Sequence, residues 1–264
     1  MAEPVRSPSV ADELIPGAGE PTLVETLSEL EEAWRTRPLL RRLYNDWFDL
    51  IAEGLATIDG PTIELGSGFG PLRQRLPDLV TTDVEPTPWA DVVIDAQSMS
   101  YPDASLANIV AIDVLHHLAD PTRFLDEARR TLRPGGRVVA IEPYTSALWT
   151  VVYRSFHHEL TEPKVNPFEL DPRLAAKAME GNQALPTALF FRRVDEFRRR
   201  WPELRIVERR RFAFLVYPLS GGFTRRRLLP NALYRPLRAL ETVLAPAAPL
   251  IASRCFVVLE RTAS

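Results

Sequence analysis

Apolar and polar positions follow two rhythms along this chain. Between Pro21 and Ala56 the apolar residues, Trp34, Tyr44, Trp47 and Phe48 among them, recur at helical spacing, which predicts helices ahead of any strand. From Thr62 onward short apolar runs alternate with polar turns. Thr62 to Leu65, Leu79 to Asp83, Asp91 to Ala96, Ala107 to Leu118 and Arg137 to Pro143 read as strands. Between the last two, Pro121 to Leu132 sets Phe124, Leu125, Ala128 and Leu132 on one helical face. Asp120-Pro121 predicts its start, because Asp caps and Pro tolerates the first turn, and Gly135-Gly136 its end. Further on, the pattern predicts a long insertion over 143–190, a helix from Val194 to Trp201 and a strand from Leu204 to Arg209. A loop-like segment follows from Phe212 to Gly222. A basic amphipathic stretch from Arg226 to Ala245, broken near Pro230 or Pro236, then leads to a last strand from Ser253 to Arg261. Strands that alternate with helices in this way make an α/β domain.

The first strand runs straight into Gly66-Ser67-Gly68-Phe69-Gly70. Glycines at alternate positions let the backbone turn sharply, let a ligand approach the main chain, and open a helix whose amides face that ligand. A dinucleotide fingerprint would place its third glycine three residues after the second, whereas here Gly70 follows Gly68 by two and Pro71 comes next. NAD is therefore disfavoured. The run Glu64-Leu65-Gly66-Ser67-Gly68-Phe69-Gly70 resembles motif I of the class I S-adenosylmethionine (SAM) dependent methyltransferases of the type 11 kind. The downstream chain carries the rest of their series: Asp83 ending the second strand, Asp95-Ala96 after the third, Asp113-Val114-Leu115-His116-His117 after the fourth, and Leu132-Arg133-Pro134-Gly135-Gly136-Arg137-Val138 before the fifth. The resemblance spans Pro61 to Glu142. The block Ser155 to Leu160, the turn Gly181 to Pro186 and the loop Leu219 to Gly222 are also similar to a bacterial subgroup of these enzymes with a long substrate-side insertion.

That resemblance implies a Rossmann-like seven-stranded sheet of order 3-2-1-4-5-7-6, its last strand antiparallel, with helices on both faces. It implies SAM as cofactor and S-adenosylhomocysteine as product. The cofactor-binding positions would be Glu64, Gly66, Ser67, Gly68, Asp83, Val84, Asp95, Ala96, Ile112, Asp113 and His117. Asp83 would accept the ribose hydroxyls and Asp95 would lie on the adenine side.

Methyl transfer is an in-line displacement, so the protein must align the nucleophile, exclude water and remove a proton if the acceptor is a hydroxyl. All four histidines fall in two adjacent pairs, His116-His117 and His157-His158. Histidine titrates nearest neutrality and suits that task. His157 and His158 lie in the insertion and are the expected base, with Glu142 or Glu159 as the orienting carboxylate. Tyr44, Tyr144, Tyr153, Glu159 and Asn182 are the expected substrate contacts, although Tyr44, with Trp47 and Phe48, equally suits packing of a helix onto the core. No metal is expected, since adjacent histidines in extended chain point to opposite faces and the spacings match no usual zinc pattern.

At 264 residues the chain suits one domain: a disordered tail at 1–20, then 21–264 comprising a helical cap (21–58), a SAM-binding core (61–143), the insertion (144–190) and C-terminal strands with a basic helix (191–264). The opening residues resemble neither a signal peptide nor a membrane span, and a single cysteine, Cys255, offers no disulfide framework; both point to the cytoplasm. Charge is uneven: residues 1–183 hold 16 Lys+Arg and 29 Asp+Glu, net -13, while 184–264 hold 16 Arg and 6 Asp+Glu, net +10, summing to -3. The basic end admits contact with an anionic membrane through its C-terminal helix, but no aromatic-interleaved motif marks nucleic acid. The expected reaction is O-methylation of a small, sugar-bearing or secondary metabolite. C-methylation of a quinone- or isoprenoid-like lipid, or SAM binding without catalysis in a regulatory protein, remain as alternatives. The oligomeric state is left open.

Overall fold

The structure is a computed structural model that describes residues 22–156, 161–169, 181–223 and 229–263. The expected tail at 1–20, the pair His157-His158, Glu159 and the arginines 225–227 lie outside the described residues.

Seven strands form one sheet in the order β3-β2-β1-β4-β5-β7-β6. They are β1 (Thr62–Leu65), β2 (Val80–Asp83), β3 (Val92–Val93), β4 (Leu106–Ile112), β5 (Leu132–Pro143), β6 (Leu204–Phe212) and β7 (Arg254–Arg261). Pairing is parallel from β3 through β5, and β7 runs antiparallel to both β5 and β6. The C-terminal ends of β1, β2, β4, β5 and β6 therefore share one edge, where open α/β sheets bind ligands.

Both faces are covered, because strands such as Ile109-Val110-Ala111 and Val138-Val139-Ala140 are apolar on alternate and intervening positions alike. One face packs against α3 (Pro121–Thr131), whose Phe124, Leu125 and Ala128 are buried in the spacing the sequence predicts. The other receives α2 (Pro38–Gly54), which buries Leu39, Leu40, Leu43, Trp47, Phe48 and Ile51. Burying such side chains contributes about 1.5–3 kcal/mol each. Gly54 ends α2 in close contact with Phe256, Val139 and Val258, so this helix lies on the sheet face rather than across the ligand edge. α1 (Leu23–Thr36), started by a Thr22/Glu25 capping box, takes the capping position: its Leu27 lies directly over Gly68.

The observed elements depart from the sequence pattern at several places: β4 stops at Ile112, short of the expected Leu118, and β6 runs past Arg209 to Phe212. No full helix follows the glycine loop; Pro71–Gln74 makes a single 3-10 turn before β2. The third strand shrinks to two residues at the sheet margin. Gly135-Gly136 does not end the helix, which stops at Thr131; both glycines lie inside β5, whose pairing with β4 shifts register there. Glycine is required at Gly136 because a Cβ would meet the Ala107 and Arg133 carbonyl oxygens at 2.9 Å. The segment after β6 contains a short helix, Val216–Ser220, closed by left-handed Gly221. Of the basic C-terminal stretch, Tyr234–Val243 is helical, with Pro236 in its first turn, where proline is tolerated. No helix among the described residues is long and apolar enough to cross a membrane.

Candidate active site

The glycine loop leaves β1 with Gly66, Gly68 and Gly70 all at positive φ (56°, 56° and 69°). At Gly66 an added Cβ would also come within 2.8 Å of Val114, so neither its backbone nor its surroundings admit a side chain. Ser67 N donates to the Thr82 carbonyl at 2.9 Å, and Gly68 N points at Asp83 Oδ2 at 3.3 Å, tying the loop to the tip of β2. The other Asp83 oxygen accepts from Val84 N at 2.8 Å. Val84 itself is exposed beside it, an apolar side chain at the ligand edge. Two buried side-chain atoms of the loop region, Glu64 Oε2 and Ser67 Oγ, have no hydrogen-bond partner. Burial, with the nearby Asp83 charge and against the pull of Arg73, pushes the Glu64 carboxyl up to about 8.

Past β3, Asp95 is exposed and its Oδ1 accepts from Gln97 N at 2.8 Å, while Ala96 is buried. Gln97 Oε1 in turn accepts from Asp120 N, so the same turn supports the start of α3. Ile112 ends β4, and Asp113 follows it with φ of 56°, uncommon for a residue with a side chain and frequent at functional positions. Its carboxylate is ion-paired with Arg254, at the start of β7. Arg254 is buried, donates from Nη2 to the Tyr217 hydroxyl at 2.6 Å, and lies 4.6 Å from the Tyr217 ring centroid. Burial works against the Arg254 charge, but Asp113 and the hydroxyls of Tyr217, Tyr153 and Tyr44 outweigh it and hold the guanidinium protonated.

Glu142 carries the next turn. Its Oε1 accepts from Val114 N (2.9 Å) and Leu115 N (2.7 Å), and Oε2 lies 2.8 Å from His116 Nδ1. Both side chains are buried. The histidine rings stack with centroids 4.0 Å apart, leaving His117 the more exposed of the two. The carboxylate expected to orient the second histidine pair thus orients the first. Asp113, His116 and Glu142 bring ligand-type atoms within 4.8 Å of one another. That donor set is committed within the protein, to Arg254 and to the Val114 and Leu115 amides.

Four of the expected substrate contacts, Tyr44, Tyr144, Tyr153 and Asn182, lie in the described residues, and each is buried with protein partners. Tyr44 is buried among Trp34, Trp47, Phe48 and Phe223, because its helix faces the sheet. Tyr153 donates to the Ser253 carbonyl at 2.8 Å and is buried. Asn182 closes its own turn, accepting from Ala184 N at 3.0 Å and Glu162 N at 3.2 Å, while its backbone N donates to the His116 carbonyl at 2.7 Å. The insertion is thereby pinned to the histidine turn. Tyr144, immediately after β5, is buried and accepts from Arg211 Nε at 2.9 Å. Sequence reasoning missed Arg254 and Tyr217; a lone arginine opening an apolar strand was the only local signal.

Residues 63–140 match the family model described as a methyltransferase domain. A stretch of 123 residues is 32% identical to an uncharacterized 37.1 kDa protein in transposon TN4556 of Streptomyces fradiae, covering 44% of this chain and 33% of that protein. A shorter one, 44 residues at 46% identity, aligns with the 27-O-demethylrifamycin SV methyltransferase of Amycolatopsis mediterranei, covering 17% of this chain and 16% of the relative. The alignments thus take in a third or less of the length of these curated relatives. Among solved structures, the geranyl diphosphate C-methyltransferase of Streptomyces coelicolor, in complex with Mg2+, geranyl diphosphate and S-adenosyl-L-homocysteine, superposes with a TM-score of 0.50. It is 12% identical, over 84% of this chain and 80% of that one, a likeness of fold. The segment that matches the methyltransferase domain model spans β1 to the middle of β5, within the sheet of order 3-2-1-4-5-7-6.

Proposed function

We propose that this chain is a class I methyltransferase that binds SAM and methylates a hydroxyl group of a small-molecule acceptor. The observation that carries the cofactor half is the Asp83 carboxylate at the tip of β2, tied to the Gly68 amide, with the loop glycines at positive φ and the Glu64 and Ser67 oxygens buried without partners. Those groups fit a polar nucleoside ligand: the bare loop backbone admits it closely, Asp83 suits the ribose, Val84 an apolar adenine face and Asp95 the adenine edge. When bound, SAM supplies an electrophilic methyl group.

The chain's own residues would do the remainder. α1, with Leu27 over Gly68, shields the loop from water. Glu142 fixes the turn 114–117 and keeps His116 and His117 in register with the ends of β4 and β5. The acceptor proton would pass to the second histidine pair, His157 or His158, which lies outside the described residues. The rifamycin relative supports the O-methylation reading through its name, over a short segment only.

The experiment is an isothermal titration of the whole protein with SAM, S-adenosylhomocysteine and NADH. Saturable binding of the two adenosyl ligands and none of NADH is the expected result. Binding of neither, or of NADH alone, refutes the reading.

A further inference from the structure

Most arginines of the described residues meet a carboxylate: Arg73 meets Asp91, Arg130 meets Glu127 and Asp103, and Arg137 and Arg205 share Glu260. Arg209 and Arg211, which lie against one aromatic ring, do not, and neither does Arg192, which follows that ring in the sequence. Arg209 and Arg211 lie with their Cζ atoms 5.4 and 4.5 Å from the centroid of Phe191, and Arg192 is the next residue of that turn. Their partners are neutral. Arg209 Nη1 donates to the Phe190 carbonyl at 2.6 Å and Arg211 Nε to the Tyr144 hydroxyl at 2.9 Å. Arg192 donates to the Pro163 and Thr145 carbonyls at 2.6 and 3.1 Å.

These bonds hold the three guanidinium groups in place without neutralising them. Both Nη groups of Arg211 remain available as donors, and Arg209 and Arg192 are exposed. Burial and the neighbouring Arg211 and Arg198 charges lower the Arg209 pKa, as expected where like charges converge. The cluster sits beside the C-terminal ends of β5 and β6, since Tyr144 follows β5 and Arg211 precedes the last residue of β6.

We infer that Arg209 and Arg211 form an anion-binding site, built around Phe191 and Tyr144, that receives a phosphate or diphosphate ester carried by the acceptor. A group with two or more negative charges matches two uncompensated cations, and guanidinium donors match phosphate oxygens in pairs. The inference rests on the reading that an acceptor binds at this sheet edge.

The test titrates the full-length protein with inorganic pyrophosphate at low ionic strength, with SAM titrated separately. The wild type is expected to bind pyrophosphate saturably. The R209Q/R211Q variant should bind it about tenfold or more weakly, R209Q alone should fall between, and R235Q, on the helix after β6, should match the wild type. SAM affinity should be the same in all four. No saturable pyrophosphate binding, or equal loss in R235Q, overturns the site. So does binding to phosphatidylglycerol vesicles without binding to free pyrophosphate, which would make the cluster a lipid-facing surface. Pyrophosphate binding that depends on Arg209 and Arg211 in a protein that fails to bind SAM would keep the anion site and refute the methyltransferase reading instead.

Discussion

Glu142 and His116 meet inside the protein, Oε2 to Nδ1 at 2.8 Å, on a carboxylate whose other oxygen holds the Val114 and Leu115 amides. One buried side chain at the end of β5 thereby shapes the turn that leaves β4. The pair is a positioning device, because both carboxylate oxygens of Glu142 are taken up by protein groups.

Glu142→Ala would leave two amides and an imidazole buried without their acceptor. A loss of about 3–5 kcal/mol in stability is expected, read by urea unfolding. A variant within about 1 kcal/mol of wild type would show that the turn does not depend on this carboxylate.

Arg254 and Asp113 pair across 141 residues of chain. Arg254→Met removes the buried cationic partner of Asp113 and should destabilise the fold by about 1–3 kcal/mol, as should Asp113→Asn. In a double-mutant cycle by denaturant unfolding, the double variant should recover part of the Arg254→Met loss. Strict additivity would mean the two side chains are not coupled.

Glu64 gives a pH signature. Its carboxyl is raised to about 8 in the folded protein, so between the ordinary carboxylate range and that value the native state holds a proton that the unfolded chain has released. The stability it contributes is complete below its unfolded pKa and is lost as pH rises through about 8. Glu64→Gln removes this slope, so its stability relative to wild type should rise between pH 5 and pH 9 by on the order of a few kcal/mol. Parallel pH profiles for the two proteins would refute it.

Asp83→Ala should weaken SAM binding by about tenfold or more, the loss of hydrogen bonds to a charged group costing about 1.5–3 kcal/mol. Calorimetric titration reads this directly. An unchanged affinity removes Asp83 from the cofactor site.

His157→Ala and His158→Ala should each be assayed against a methylated acceptor. Turnover is expected to fall by about 10²-fold or more in at least one, with SAM affinity unchanged. Two fully active variants would return the base to His117 or exclude histidine altogether.

How much of this was legible beforehand differs by feature. The glycine loop, the strand that ends at Asp83 and α3 with its Asp120 cap were readable because each is a local matter: a positive φ, a strand end, a 3.6-residue period. The order of the sheet is the one that the family resemblance of the stretch from Pro61 to Glu142 implies. Gly135-Gly136 misled because glycines that end a helix and glycines that relieve a close strand contact look alike in sequence; only the Ala107 carbonyl distinguishes them.

What the tertiary structure alone decided lies in contacts between distant residues and in one local irregularity. Tyr44, Tyr153 and Asn182 were polar side chains near the right elements, and packing turned each of them to structural use. β6 shows the reason most clearly. A period-two reading puts Leu204, Ile206, Glu208 and Arg210 on one face, but the register slips between Ile206 and Glu208. Beyond that bulge Arg209 and Arg211, opposite Val257 and Cys255, take the face that Ile206 began, and so reach Phe191. The sequence determined which residues were available and which strands would form. The extra residue in one strand, fixed only by pairing with β7, determined which arginines face the ring.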